Sequence, residues 1–222
     1  MTSNTLRAKA YLALEEAIVT RQLAPGSRVT ELELSQRLGI GRTPIREALQ
    51  RLSNEGLVTI RPRDAILIEP MTLQRLRQLL ELREAVERLL VTSAARRADL
   101  DERARALALA SAVIDAANLD LALYLRVVRD ANELLCEAAR NEFLAKAMAE
   151  VYGLSRLFAY PVIKARADRL VAAERHCAIL KAVAAQDVAQ AEAAASEMIV
   201  YLKRRYGPEA AESGNDAAPA SP

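Results

Sequence analysis

Chain-turning residues are scarce in this sequence: seven glycines and eight prolines among 222 residues. A β-sandwich of this length needs a turn every few residues, and turns draw on glycine and proline, so an all-β fold is excluded. The apolar fraction is 52%, enough for a substantial core, but aromatics are only 4% and tryptophan is absent. The core must therefore come from Ala, Leu, Val and Ile. With Arg and Glu as the common charged residues, the composition favours helix. Cys136 and Cys177 are too few for a disulfide framework or a zinc cluster, which points to the reducing cytosol. The opening MTSNTLRAKAYLALEEA carries Arg7, Lys9, Glu15 and Glu16 and has no unbroken apolar run, so it does not read as a signal peptide. The most apolar stretch, Ala106 to Ile114, lies between Arg105 and Asp115 and is too short to span a bilayer. No membrane partner is expected, and a cytoplasmic location is.

Hydrophobic spacing divides the chain. Over residues 6–21, Leu6, Ala10, Leu14, Ala17 and Ile18 share one helical face. Pro25-Gly26 breaks that helix. Thr30, with Glu33 three residues on, forms a capping box for a short helix carrying Leu32, Leu34 and Leu38 and ending at Gly39. A third helix is expected to start at Thr43 as N-cap with Pro44 in its first turn. Its apolar stripe is Ile45, Ala48, Leu49 and Leu52, and Asn54-Glu55-Gly56 closes it. Leu57–Arg61 and Ala65–Glu69 read as two strands around Pro62-Arg63-Asp64. From Thr72 to about Tyr206 only helices are predicted, with breaks near Asp99, Asn118, Asn141, Pro161 and Asp187. The last sixteen residues lack large apolar side chains and read as disordered. Three segments are expected: a small unit over 1–70, a helical bundle over 71–206 and a tail over 207–222.

Three short helices followed by a β-hairpin describe a winged helix-turn-helix, in which the third helix enters the DNA major groove. Arg42 and Arg46 lie four apart on one face of that helix, Gln50 continues the face, and the Ile45/Leu49/Leu52 stripe lies opposite. From Arg37 to Arg63 there are six arginines against two acids, Glu47 and Glu55, leaving the segment four positive. The whole chain carries only +2, so positive charge gathers where a phosphate backbone would lie. Solvated arginines on an amphipathic helix are the ordinary reading of an isolated R-x-x-x-R. The helix start, the paired arginines and the hairpin occurring together favour DNA. Arg61 and Arg63 on the hairpin add phosphate contacts.

LAPGSRVTELELSQRLGIGRTPIREALQRLSNEGLV resembles the GntR superfamily of bacterial transcription regulators over about residues 6–69. The resemblance implies DNA contacts from Arg42 and Arg46, with Thr43 beside them on phosphate. The chain has Gly41 where the family often has Ser or Thr, and Asp64 where it usually has Gly. LRQLLELREAVERLLVTSAARRA further resembles the opening helix of the FCD ligand-binding domain of FadR-like members, and the resemblance continues more weakly to about residue 205. That implies an all-helical domain that dimerises and binds a small molecule.

Many FCD domains hold a divalent metal through one Asp and three His. By motif alignment these positions fall on Val128, Asn132, His176 and Met198, and only His176 keeps a ligand of the expected kind. A shifted alignment would offer Asp130 as a carboxylate. No metal and no other cofactor is expected. The four positions should still converge on a cavity suited to a partly apolar organic molecule. Arg83 and Glu87 lie four apart, which ordinarily marks a surface pair; if Arg83 points inward, its planar fork could grip a carboxylate. Tyr152, Phe158 and Tyr160 read as core. The expected function is a sequence-specific, DNA-binding transcription regulator, a homodimer on a pseudo-palindromic operator, whose affinity responds to a small, anionic metabolite. The alternatives are a DNA-binding dimer with a purely structural bundle, and an enzyme, for which no Walker loop, Rossmann fingerprint, HExxH or G-x-S-x-G is present.

Overall fold

The computed structural model describes residues 3–61 and 65–206. Helix α1 (Ser3–Val19) buries Ala10, Leu14, Ala17 and Ile18 against the third helix, as their spacing requires. Strand β1 (Arg28–Val29) follows, then α2 (Glu31–Leu38). At the α2 start, Thr30 Oγ1 accepts the Glu33 N–H at 3.2 Å and Glu33 Oε2 accepts the Thr30 N–H at 2.7 Å, a complete capping box. Gly39, at φ 62°, closes the helix in the left-handed region. Of the three leucines expected inside, only Leu34 is buried; Leu38 is half-buried and Leu32 lies on the outer face.

Helix α3 (Arg42–Asn54) begins earlier than the sequence suggests. Gly41, not Thr43, is the N-cap: its carbonyl accepts the Ile45 N–H at 3.3 Å, and no side chain caps the end. Pro44 thus occupies the third helical position, still among the first-turn residues whose N–H has no partner within the helix, so its missing donor costs nothing. Ile45, Ala48, Leu49 and Leu52 are all buried, as expected. Strands β2 (Val58–Ile60) and β3 (Ile66–Ile68) pair antiparallel with Thr59 opposite Leu67. Strand β1, not foreseen, adds to the other side of β3, with Val29 opposite Ile66, giving the order β1-β3-β2. Two residues have no periodicity to read. They join the sheet because β3 offers an open edge.

Among the described residues, helices α4 (Leu73–Arg97), α5 (Leu100–Leu119), α6 (Leu121–Ala138), α7 (Glu142–Ile163), α8 (Arg166–Ala184) and α9 (Val188–Tyr206) follow. Thr72, Asp99, Asp120 and Asn141 cap α4 to α7 through their side-chain oxygens. The break expected near Asn118 thus falls at Asp120. The break expected near Pro161 falls a few residues later, since Pro161 itself lies inside α7. The helix runs two residues past it, and the chain turns at Lys164–Ala165. Helix α5 packs on α6 and α8, and α4 on α7 and α9. The tail over 207–222 and the hairpin tip lie outside the described residues.

The α1–α3 unit, here called the head, sits against α6 and α7. Gly153 of α7 lets them close up: a Cβ there would stand 3.0 Å from the Glu55 carbonyl oxygen. Buried Glu15 of α1 pairs with Arg129 of α6 and, at 2.6 Å, with Arg156 of α7. Beside it, Tyr11 donates to Glu55 at 2.8 Å, and Arg51 stacks 3.8 Å over the Tyr11 ring.

Candidate functional site

Two regions bring the expected site residues together. The first is the outer face of α3. Burial of the Ile45/Leu49/Leu52 stripe forces Arg42, Thr43, Arg46 and Gln50 outward, and all four are exposed. Arg61, just after β2, is exposed on the adjoining edge; Arg63 lies outside the described residues. Arg46 does not stand alone. Its fork takes both carboxylate oxygens of Glu31, Nε at 2.9 Å and Nη2 at 2.8 Å. That hydrogen bond, more than simple charge attraction, holds the Glu31 carboxyl below the usual carboxylate range. The sequence offered no sign of Glu31, which begins the neighbouring helix fifteen residues earlier.

The positive charge of this segment is also unevenly spent. Arg51 turns away toward the bundle, pairing with Glu55 at 3.0 Å and Glu133 at 3.4 Å. Arg37 reaches back to the Gln22 carbonyl at 3.4 Å. Glu47 takes Arg7 at 2.9 Å. The arginines that remain outward at the start of α3 are Arg42 and Arg46.

The second region is a cavity of about 50 Å³ inside the bundle, a few times what a single water needs. Its walls include Arg83 from α4, Val128 and Asn132 from α6, His176 from α8 and Met198 from α9. Tyr124, Tyr152, Ser155, Arg156 and Tyr201 also line it. Arg83 points inward, and the pair that its spacing ordinarily places on a surface is buried. Arg83 is paired with Glu87 one turn on, Nη2 to Oε1 at 3.2 Å and Nε to Oε2. Its guanidinium also lies 5.4 Å from the centroid of the Tyr152 ring. Burial, and secondarily the Arg83 charge, push the His176 imidazole down to about 3, so it is neutral. Tyr152 was read as core. It is buried and forms part of this wall as well.

This donor set does not suit a divalent metal. Val128 has no donor atom, Met198 offers a soft thioether and Asn132 a neutral amide. His176 is the single imidazole, and a guanidinium beside it opposes a second positive charge. Asp130 is exposed and cannot supply a carboxylate. Among the described residues no group of three His, Cys, Asp or Glu is placed to hold a metal ion. The Cys136 thiol, raised to about 11 chiefly by burial, is not a thiolate. Arg156 went unremarked in the sequence; a lone arginine inside VYGLSRLFAY was the signal.

Residues 6–68 match the family described as "Bacterial regulatory proteins, gntR family", and residues 78–200 match the "FCD domain". An uncharacterized HTH-type transcriptional regulator of Streptomyces ambofaciens is 40% identical over 83 residues, 37% of this chain and 35% of that protein. The HTH-type transcriptional repressor RspR of Escherichia coli is 34% identical over 77 residues, 35% of this chain and 34% of that protein. The Nta operon transcriptional regulator of Aminobacter aminovorans is 38% identical over 80 residues, 36% of this chain and 38% of that protein. The chain thus spans little more than a third of the length of these relatives. Their names describe transcriptional regulators and not enzymes. Among solved structures, E. coli McbR/YncC superposes with a TM-score of 0.72 at 20% identity, covering 90% of this chain and 95% of that one. A putative transcriptional regulator GntR from Rhodococcus sp. RHA1 gives a TM-score of 0.61 at 24% identity, covering 99% and 100%. The fold is shared with both. No helix among the described residues is long and apolar enough to cross a membrane.

Proposed function

The chain belongs to the GntR-type bacterial regulators that carry an FCD domain, and on that premise we propose that it is a cytoplasmic homodimer that binds a pseudo-palindromic DNA operator and releases or tightens it when a small carboxylate enters the bundle. The observation that carries the DNA part is the outward set on α3. Arg42 and Arg46 present forks suited to guanine edges or phosphates, Thr43 and Gln50 flank them, and Arg61 stands beside on the wing. Arg63, outside the described residues, is proposed as a further phosphate contact. Because Arg46 is exposed, exchanging Glu31 for a DNA acceptor requires no desolvation of a buried ion.

The effector part rests on Arg83, Val128, Asn132, His176 and Met198 sharing one cavity. Methyls, an amide, a neutral imidazole and a thioether favour a partly apolar organic molecule over a hard cation. Its modest volume favours a compact effector. It also keeps open a bundle that serves only to dimerise. A thermal-shift screen against small carboxylates separates the two: none stabilises a purely structural bundle. Two seven-spaced pairs of exposed leucines, Leu82 with Leu89 on α4 and Leu100 with Leu107 on α5, offer apolar faces for a second copy.

The test of the whole reading is DNA selection from a random pool followed by binding titration. Recovery of an inverted repeat, bound by a species of twice the chain mass in ultracentrifugation, is expected. A pool that yields no enriched sequence overturns the regulator reading.

A further inference from the structure

Two buried polar atoms of residues that line the bundle cavity have no hydrogen-bond partner among the described residues: Tyr152 Oη and Arg156 Nε. Both are donors, both residues are over nine-tenths buried, and both project from α7, four residues apart. A buried donor without an acceptor is costly, so two on one wall call for a reason. Both residues also line a second cavity, about 180 Å³, whose far walls are Tyr11, Arg51 and Glu55 of the head. Tyr152 and Arg156 are therefore part of the partition between the bundle cavity and the DNA-reading unit. Arg156 already reaches across it, donating from Nη2 to Glu15 Oε1 at 2.6 Å.

We propose that Tyr152 and Arg156 form the anion-reading end of the effector site, and that an effector carboxylate there competes with Glu15 of the head for Arg156. This rests on the ligand-responsive reading above and names the residues that would make it work. Arg83 is the less available arginine, since its fork is committed to buried Glu87. Arg156 Nε and Nη2 share one edge of the guanidinium, so a carboxylate taking both, with Tyr152 Oη donating to it as well, would satisfy both orphan donors and displace Glu15. Glu15 would not be stranded when Arg156 turns to the ligand, because Arg129 holds its other oxygen. The exchange therefore has two satisfied states, and only one ties α7 to α1 through Arg156. A ligand can shift the head only through such a difference between states.

The experiment uses the full chain and its selected DNA. Acetate, propionate and succinate, each against its uncharged amide, are titrated by calorimetry and thermal shift into wild type, Tyr152→Phe, Arg156→Lys and Glu15→Gln. At least one carboxylate is expected to bind, with its amide at least tenfold weaker. Tyr152→Phe should melt at or above the wild-type temperature, because the hydroxyl it removes has no partner, yet bind that carboxylate at least tenfold more weakly. Glu15→Gln should bind it several-fold more tightly and lose its effect on DNA affinity. If Arg156→Lys does not fold, Tyr152→Phe and Glu15→Gln carry the decision. Amides binding as well as acids, no carboxylate binding at all, or Tyr152→Phe binding like wild type would each overturn the proposal. DNA binding by the ligand-free wild type is read separately, so a failure of this pair is distinguishable from a failure of the regulator reading.

Discussion

Arginine does opposite work in the head and in the bundle. On α3, Arg42 and Arg46 stand in solvent on a small scaffold, and the one partner Arg46 has, Glu31, is itself reached by water. In the bundle, Arg83 and Arg156 are buried, each fastened to a buried carboxylate. An exposed guanidinium can change partners at little cost, because water compensates on both sides of the exchange. A buried one is desolvated already, so losing its carboxylate leaves a charge that nothing nearby can hydrate. The comparison teaches where each region tolerates change: the head exchanges contacts and keeps its fold, while the bundle can exchange them only along paths that keep every charge paired.

The sharpest way to break this comparison is to cut a buried pair. Glu87→Ala should lower stability by about 3–5 kcal/mol, read as a shift in the urea midpoint at unchanged slope. The double replacement Arg83→Met, Glu87→Leu should recover most of that loss, since a well-packed apolar pair removes the stranded charge. A single-variant loss below about 1 kcal/mol would put this pair in the class of the exposed ones. Next comes the opposite manipulation on the head. Arg42→Ala, Arg46→Ala should weaken selected DNA by roughly a hundredfold while leaving the melting temperature unchanged. A fall in melting temperature of several degrees would mean these arginines support the fold.

Smaller effects sharpen the contrast further. Depression of the His176 pKa to about 3 makes stability depend on pH in a known direction. The unfolded chain takes up the imidazole proton near pH 6.5 and the folded one only near 3, so this contribution is full above 6.5 and is lost as pH falls through that window, by at most about 1.4 kcal/mol per pH unit. Since carboxylates titrate over the same range, the measurement is the difference in urea midpoint between wild type and His176→Gln from pH 7 to 4. Equal pH slopes would mean that His176 is solvated. The smallest change should be Glu31→Gln on the head. The urea midpoint should stay put, while DNA affinity rises a few-fold as Arg46 is released. A loss of affinity would show instead that Glu31 holds Arg46 in the geometry DNA requires.

Local chemistry was readable along the chain. Thr30, Thr72 and Asn141 announced helix starts because a capping oxygen and the N–H it serves lie within three residues of each other. The α3 stripe predicted both its buried side and, by exclusion, the exposed side where Arg42 and Arg46 stand. Pro161 set the break slightly early: α7 runs on to Ile163 although the N–H that Pro161 lacks would have been donated to the Leu157 carbonyl. Strand β1 was invisible because its identity comes from β3, thirty-seven residues further on, and not from its own two residues. The four cavity positions drawn from family resemblance, and Arg83 with them, line one space, while Tyr152 and Arg156, on the same wall, were passed over because an aromatic and an arginine on an apolar helix look alike whether they face a core or a cavity.

What the sequence determined by itself was whatever depends on neighbours within a turn or two: helical content, caps, the amphipathic faces and the net positive charge around α3. The tertiary structure alone decided which charges meet. Glu15 and Arg156 are separated by 141 residues, Arg51 and Glu133 by 82, and Arg46 and Glu31 by fifteen. Ion pairing has no sequence period. It follows from which faces the packing of apolar stripes brings together, and so whether an arginine is free to read DNA or is held as a buried strut is settled only when α1, α6 and α7 close on one another.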